Sequence, residues 1–157
     1  MAKTILVDGY NVIYCRVKDP KDLEKEREFL RHKARAFAPA RVILVFDGPA
    51  DVRLPSEDGI VFTHGETADE YIKEFVRNAE KPEEIIVVTR DRSVRDSVRA
   101  HGAQVMDPRE FLAGPKALQK RREQALQNLL EKGVLSPKEV QEINRELLEI
   151  WGLQKKP

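Results

Sequence analysis

The feature that most constrains this chain is a series of short, unbroken apolar runs, each followed by a stretch with helical periodicity. Residues 3–7 (KTILV), 41–46 (RVILVF), 59–63 (GIVFT), 84–89 (EIIVVT) and 102–106 (GAQVM) read as five strands. A strand that is apolar along its whole length, rather than at alternate positions, is buried on both faces. Burial on both faces calls for a parallel sheet with helices above and below it. The intervening segments supply them. Asp22 to Phe37 is an amphipathic stretch stopped at Pro39, and a second begins near Thr67, where Thr67 and Glu70 have capping-box spacing. Ser93 to His101 follows the fourth run and Pro108 to Leu112 the fifth. The expectation over residues 1–113 is an α/β three-layer sandwich around a central, mainly parallel sheet with right-handed crossovers. Asp8-Gly9 and Asp47-Gly48 read as turn signals closing the first two strands.

Beyond Pro115 the character changes, with no further β-like run. Lys116 to Glu131 carries Leu118, Ala125, Leu126, Leu129 and Leu130 at helical spacing, and Gly133 stands where such a helix would end. Ser136-Pro137-Lys138-Glu139 combines an N-cap, proline at the first helical position and a capping-box glutamate. The following stripe is Val140, Ile143, Leu147, Leu148 and Trp151. Residues 116–157 therefore read as a C-terminal helical hairpin, with Trp151 as its docking anchor and a frayed tail.

Composition excludes several classes. The single cysteine, Cys15, rules out an internal disulfide framework. The longest apolar stretch, Val42 to Phe46, falls far short of the ~20 residues a bilayer demands, and Met1-Ala2-Lys3 does not open a leader; the expected location is the cytoplasm, without membrane contact. Charged residues make up 35% of the chain, yet 28 Lys and Arg against 27 Asp and Glu leave a net charge of only +1. Attraction to an anionic polymer would have to come from local clusters.

The acids are the informative residues. Asp8 ends strand one, Asp47 ends strand two, Asp91 follows strand four, and Asp69 lies in the first turn of the helix after strand three. In a parallel sheet all four fall at the carboxyl edge, where ligands of such folds bind. Crowded carboxylates repel one another unless a cation sits between them, and oxygen-rich sets of this kind suit Mg²⁺ or Mn²⁺. A metal held there supports phosphodiester chemistry. Each acid also has an ordinary use: turn chemistry for Asp8 and Asp47, helix-dipole compensation for Asp69, a helix cap for Asp91. Asp96 stands either as a further ligand or as a solvated acid paired with Arg92 or Arg99.

The segments ILVDGYNVI, VILVFDG, GETADEYI and VVTRD, in this order and spacing, resemble the NYN branch of the PIN-like ribonucleases, and within it the YacP-like family. The resemblance covers residues 3 to about 112. It implies a metal-dependent endoribonuclease acting on single-stranded RNA, with messenger RNA and a ribosome association as the expected context. By position it implies that Asp8, Asp69 and Asp91 hold Mg²⁺ or Mn²⁺, with Asp96 as a candidate fourth ligand. Asn11 would orient the first acid or the phosphate, and Asp47, Thr89 and Glu66 would support the site from behind. One departure stands out: related nucleases often carry an acid four residues after the TxD aspartate, where this chain has Arg95.

Arg90, Arg92, Arg95 and Arg99 flank Asp91, and Lys116, Lys120, Arg121 and Arg122 give the hairpin a basic stripe; both sets read either as phosphate contacts or as solvated faces. Tyr10 and Tyr14 are placed either to stack on a base or to pack at the rim of the core. His32, His64 and His101 show no metal-ligand spacing with cysteine, and no dinucleotide, Walker A, GxSxG or HExxH motif is present. A phosphatase of the haloacid-dehalogenase type would need an acid where Tyr10 stands. A receiver domain would need an acid at Thr63-His64 and a lysine at Val105-Met106. The surviving alternative to a nuclease is a non-catalytic RNA- or ribosome-binding module on the same fold. The sequence leaves the oligomeric state open between monomer and homodimer.

Overall fold

In the computed structural model the described residues are 3–48, 59–63 and 66–150, with the side chains of 147–150 excepted. Five strands, β1 (Thr4–Asp8), β2 (Arg41–Asp47), β3 (Ile60–Thr63), β4 (Ile85–Val88) and β5 (Gln104–Met106), form one sheet in the order β3-β2-β1-β4-β5. Every pairing is parallel. The helices are α1 (Gly9–Arg16), α2 (Leu23–Arg35), α3 (Ala68–Arg77), α4 (Arg92–Ala100), α5 (Pro108–Ala113), α6 (Pro115–Glu131) and α7 (Pro137–Ile150), with a 3₁₀ turn at Pro82–Glu84.

Strand alternation divides the interior into two cores. Ile5 and Val7 of β1 face one way with Leu44, Phe46, Ile86 and Val88, and are covered by Val12 and Ile13 of α1, Leu30 of α2, Phe111 of α5 and Leu118 of α6. Leu6 faces the other way with Ile43, Val45 and Val87, under Ile72 and Val76 of α3 and Val94 and Val98 of α4. This is the three-layer α/β sandwich that unbroken apolar strands require.

The amino-acid pattern places the strands to within about two residues and misses one helix. Residues 9–16 fold as α1, directly after β1, so Asp8-Gly9 is not a turn. Gly9 is needed for close approach instead: a Cβ there would be driven into the ring of Phe46, which is wholly buried and stacked on Phe62. The segment YNVIYCR has the β-branched and aromatic content of a strand and no amphipathic stripe, and tertiary packing decides its conformation. α2 ends at Arg35, before the expected stop at Pro39.

Both expected capping boxes are present. In α3, Thr67 Oγ1 accepts the Glu70 N–H (3.2 Å) while the Glu70 carboxylate accepts the Thr67 N–H (3.1 Å). Before α7, Ser136 Oγ accepts from the Glu139 N–H (3.3 Å), and the Ser136 N–H donates to Glu139 (2.7 Å). The turn preceding α7 contains Gly133 at φ +72°, a left-handed position that suits glycine. α6 and α7 pack on each other, and α6 packs on α5. The first half of α6 belongs to the body, since Pro115 and Leu118 are buried and Leu118 is part of the first core. Residues 49–58, His64 and Trp151 lie outside the described residues.

Candidate active site

The strand order sets the site. The chain moves outward from β1 to β2 and β3, then returns to the other side of β1 to lay down β4 and β5. The connections therefore diverge at the carboxyl ends of β1 and β4, which opens a crevice there. Asp8 is the last residue of β1; Thr89 and Asp91 follow β4. Among the described residues, three polar side chains are buried, namely Asp8, Thr63 and Thr89, and all three stand at strand carboxyl ends. The sheet thus concentrates its buried polarity on one edge.

Thr89 couples the two central acids. Its Oγ1 donates to Asp8 Oδ2 (3.3 Å) and accepts the Asp91 backbone N–H (3.1 Å). Asp91 caps α4, its Oδ1 accepting the Val94 N–H (3.0 Å). Asn11, in the first turn of α1, accepts the Arg90 N–H on its Oδ1 (2.9 Å) and so ties α1 to the loop that carries Asp91. Asn11 is thus placed to orient the site through the backbone. Asp47 ends β2 and accepts from the Ala68 N–H at the start of α3 and from Thr63 Oγ1 (3.5 Å). That contact fixes the first turn of α3, where Asp69 projects.

The charges of the acids act on one another. Burial is the main force raising Asp8, with the charge of Asp69 next; the Asn11 N–H and the Thr89 hydroxyl pull the other way, Asp47 adds a small push, and the net pKa is about 7. Asp69 is also raised, first by burial, then by Asp91 and Asp47; Lys73 and a hydrogen bond with Asp8 partly offset this. Four carboxylates from four separate elements thus act on each other at one end of the sheet.

Other expected site residues are placed differently. Asp96 faces solvent on α4 and pairs with Arg92 (3.9 Å, i,i+4). Arg90 is engaged by Asp107, with Nε to Oδ2 at 3.4 Å. Arg95 is half-buried on α4, and Glu66 is half-buried just before Thr67. Tyr10 packs edge-on against Phe46, with ring centroids 5.1 Å apart, whereas Tyr14 is 57% exposed.

Three residues escaped the reading of the sequence. Asp107 follows β5, caps α5 through the Arg109 N–H (2.9 Å) and holds Arg90. Burial pushes its pKa up, but the Arg109 N–H and Arg90 outweigh that and hold it below the usual carboxylate value. Its signal, an acid between a strand and a proline-opened helix, was present in Met106-Asp107-Pro108. Thr63 supports Asp47 from β3. Lys73, one turn after Asp69, donates to Ser93 Oγ of α4 (2.9 Å).

The family model for the YacP-like NYN domain matches residues 5–152. This chain belongs to the YacP-like NYN family. The match runs through α6 and α7, so this NYN chain carries the family pattern well past the sheet. Two crystal structures of Rae1 (YacP) from Bacillus subtilis are similar to it. One, of a tryptophan-to-leucine mutant, is 27% identical over 92% of this chain and 91% of that one, with a TM-score of 0.59. The other is 24% identical over 96% and 94%, with a TM-score of 0.57, and speaks for the fold. No curated protein matches. The all-parallel order and the carboxyl-edge crevice agree with the PIN-like fold of NYN domains.

The donor chemistry at this NYN edge fits a hard divalent cation. It is all oxygen, it is crowded, and its most buried member holds its proton near neutrality with no cation present. Among the described residues no three acids, histidines or cysteines already stand as a closed metal-holding group.

Proposed function

We propose that this chain is an endoribonuclease that hydrolyses single-stranded RNA with the help of Mg²⁺ or Mn²⁺. The observation that carries the reading is the convergence of Asp8, Asp69, Asp91 and Asp47 on the crevice between β1 and β4, with Asp8 raised to about 7 by burial and its neighbours. Asp8, Asp69 and Asp91 would hold the ion. When bound, it would supply an activated water and charge neutralisation at phosphorus.

The chain's own residues prepare the rest. Thr89 fixes the Asp8 carboxylate and, through the Asp91 N–H, the start of α4. Asn11 locks the Arg90 peptide, and Asp47 anchors the turn that presents Asp69. Tyr14, exposed on α1 one turn beyond Tyr10, is better placed than Tyr10 to meet a base, because Tyr10 is committed to Phe46. Messenger RNA presented on the ribosome is the substrate context that membership of the YacP-like NYN family implies, and the cytoplasm is the compartment that fits it. The described residues contain no helix long and apolar enough to cross a membrane.

The test is cleavage of an end-labelled single-stranded RNA. Cutting in Mg²⁺ or Mn²⁺ that stops in EDTA and in Asp8→Asn supports the proposal. Cutting that persists in EDTA, or in Asp8→Asn at the wild-type rate, overturns it.

A further inference from the structure

Asp69, Lys73 and Arg77 follow one another at i, i+4 and i+8 along one side of α3. Asp69 points into the acid cluster, and Lys73 stands one turn behind it. The Lys73 ammonium reaches across to α4 and donates to Ser93 Oγ at 2.9 Å, two residues past Asp91. It therefore spans the gap between the two helices that present Asp69 and Asp91. It is also accessible, because it lines a cleft of about 370 Å³ between α3 and α4, together with Glu66, Glu70, Glu74, Arg77, Ser97 and His101.

Lys73 differs from the arginines around Asp91 in what it touches. Arg90 is paired with Asp107, and Arg92 with Asp96. The hydrogen-bond partner of Lys73 is a neutral hydroxyl, which orders the ammonium while its charge acts on Asp69. Fixing a flexible lysine stem in advance lowers the entropic cost of using it later. Lys73 already offsets part of the repulsion among the acids, drawing Asp69 back toward its ordinary value. When a divalent cation takes over that role, the ammonium is left to meet a further anion, and at a phosphodiester-cleaving site that anion is the substrate phosphate.

We propose that Lys73, steadied by Ser93, binds a phosphate oxygen of the RNA strand at the acid-lined edge and so positions the strand for cutting. The proposal rests on the nuclease reading above and assigns one contact within it. Because a lysine reads a phosphate as a point charge, the contact favours no base.

The test is equilibrium binding of labelled single-stranded RNA over a series of KCl concentrations, in Mg²⁺ and in an Asp8→Asn background so that the strand stays whole. Lys73→Ala should weaken binding alike for different sequences and lower the slope of log affinity against log salt by about 0.7, the value for one single-strand phosphate contact. Lys73→Arg should keep the slope, and Ser93→Ala should keep it with a smaller loss of affinity. Cleavage by the otherwise wild-type chain is followed in parallel. Unchanged slope and affinity in Lys73→Ala would overturn the proposal while cutting left the nuclease reading intact. A Lys73→Ala rate loss repaired by more Mg²⁺, at unchanged slope, would also overturn it by placing the effect on the acids. A slope loss in a chain that never cuts would uphold the phosphate contact and sink the nuclease reading.

Discussion

The α/β body and the α6–α7 hairpin are held by different means. In the body, helices on both faces of the sheet send side chains into one of two cores, and the single acid buried among the described residues, Asp8, lies at the carboxyl edge. In the hairpin, α6 is anchored by Pro115, Leu118 and Leu126, but between Pro137 and Glu146 of α7 no residue is buried, and Leu129 and Val134 are exposed. The body spends its packing on precision at one edge. The hairpin keeps surface available. Under the proposed function, chemistry belongs to the first and association to the second.

The largest effect expected from this contrast falls on the acids. Asp69→Asn and Asp91→Asn should each lower the rate of RNA cleavage on the order of a thousandfold or more while the melting temperature stays near that of the wild type. Single-turnover cleavage beside thermal unfolding measures both. Thr89→Val, which loses the bond to Asp8 and the acceptor for the Asp91 N–H, should cost roughly 10–100-fold.

Gly9→Ala probes how tightly the body is built beneath the site. The added methyl group meets Phe46, and neither the ring nor α1 has room to give, so a loss of about 1–3 kcal/mol is expected in urea unfolding. An unchanged midpoint would show that α1 can shift and that the edge is softer than described.

The pH dependence of stability follows from Asp8. Its pKa is about 7 in the folded chain against an ordinary value of 3.8. Between those values the folded state binds more protons than the unfolded state, so metal-free stability falls as pH rises through the window and stays low above it. Asp8→Asn removes that penalty. In EDTA the variant should melt higher than the wild type at pH 8 by on the order of 1–4 kcal/mol, with the advantage gone near pH 4.

The smallest effect on the body, and the sharpest on the contrast, comes from removing residues 134–157. The body should lose less than about 1 kcal/mol, because the buried anchors of α6 remain. Cutting of short RNA should persist while co-sedimentation with ribosomes drops. A cut made at residue 115 is a different experiment, since it takes Leu118 out of the first core.

Much of this was legible beforehand, for physical reasons. Unbroken apolar runs can only be doubly covered strands, so the parallel sheet and its loaded carboxyl edge followed from Val42–Phe46 and Ile85–Val88. Capping boxes are local chemistry, so Thr67 and Ser136 marked their helices. α1 was not legible, because its conformation is set by packing on Phe46 and its sequence shows no stripe. Nor was Lys73: a lysine among glutamates on an amphipathic helix looks like a solvated charge, and only α4 beside it shows which way it reaches. Asp96 was a true ambiguity in the spacing, and the structure sets it beside Arg92.

The central claim is that the carboxylates at the end of β1 and β4 and on α3 form one divalent-cation site. The most direct measurement is thermal unfolding at pH 8 across a Mn²⁺ titration, for the wild type and Asp8→Asn. The wild type should gain stability with concentration, reaching about 2.7 kcal/mol at a hundredfold excess over Kd, and Asp8→Asn should gain far less. No gain in the wild type, or an equal gain in both proteins, would contradict the account.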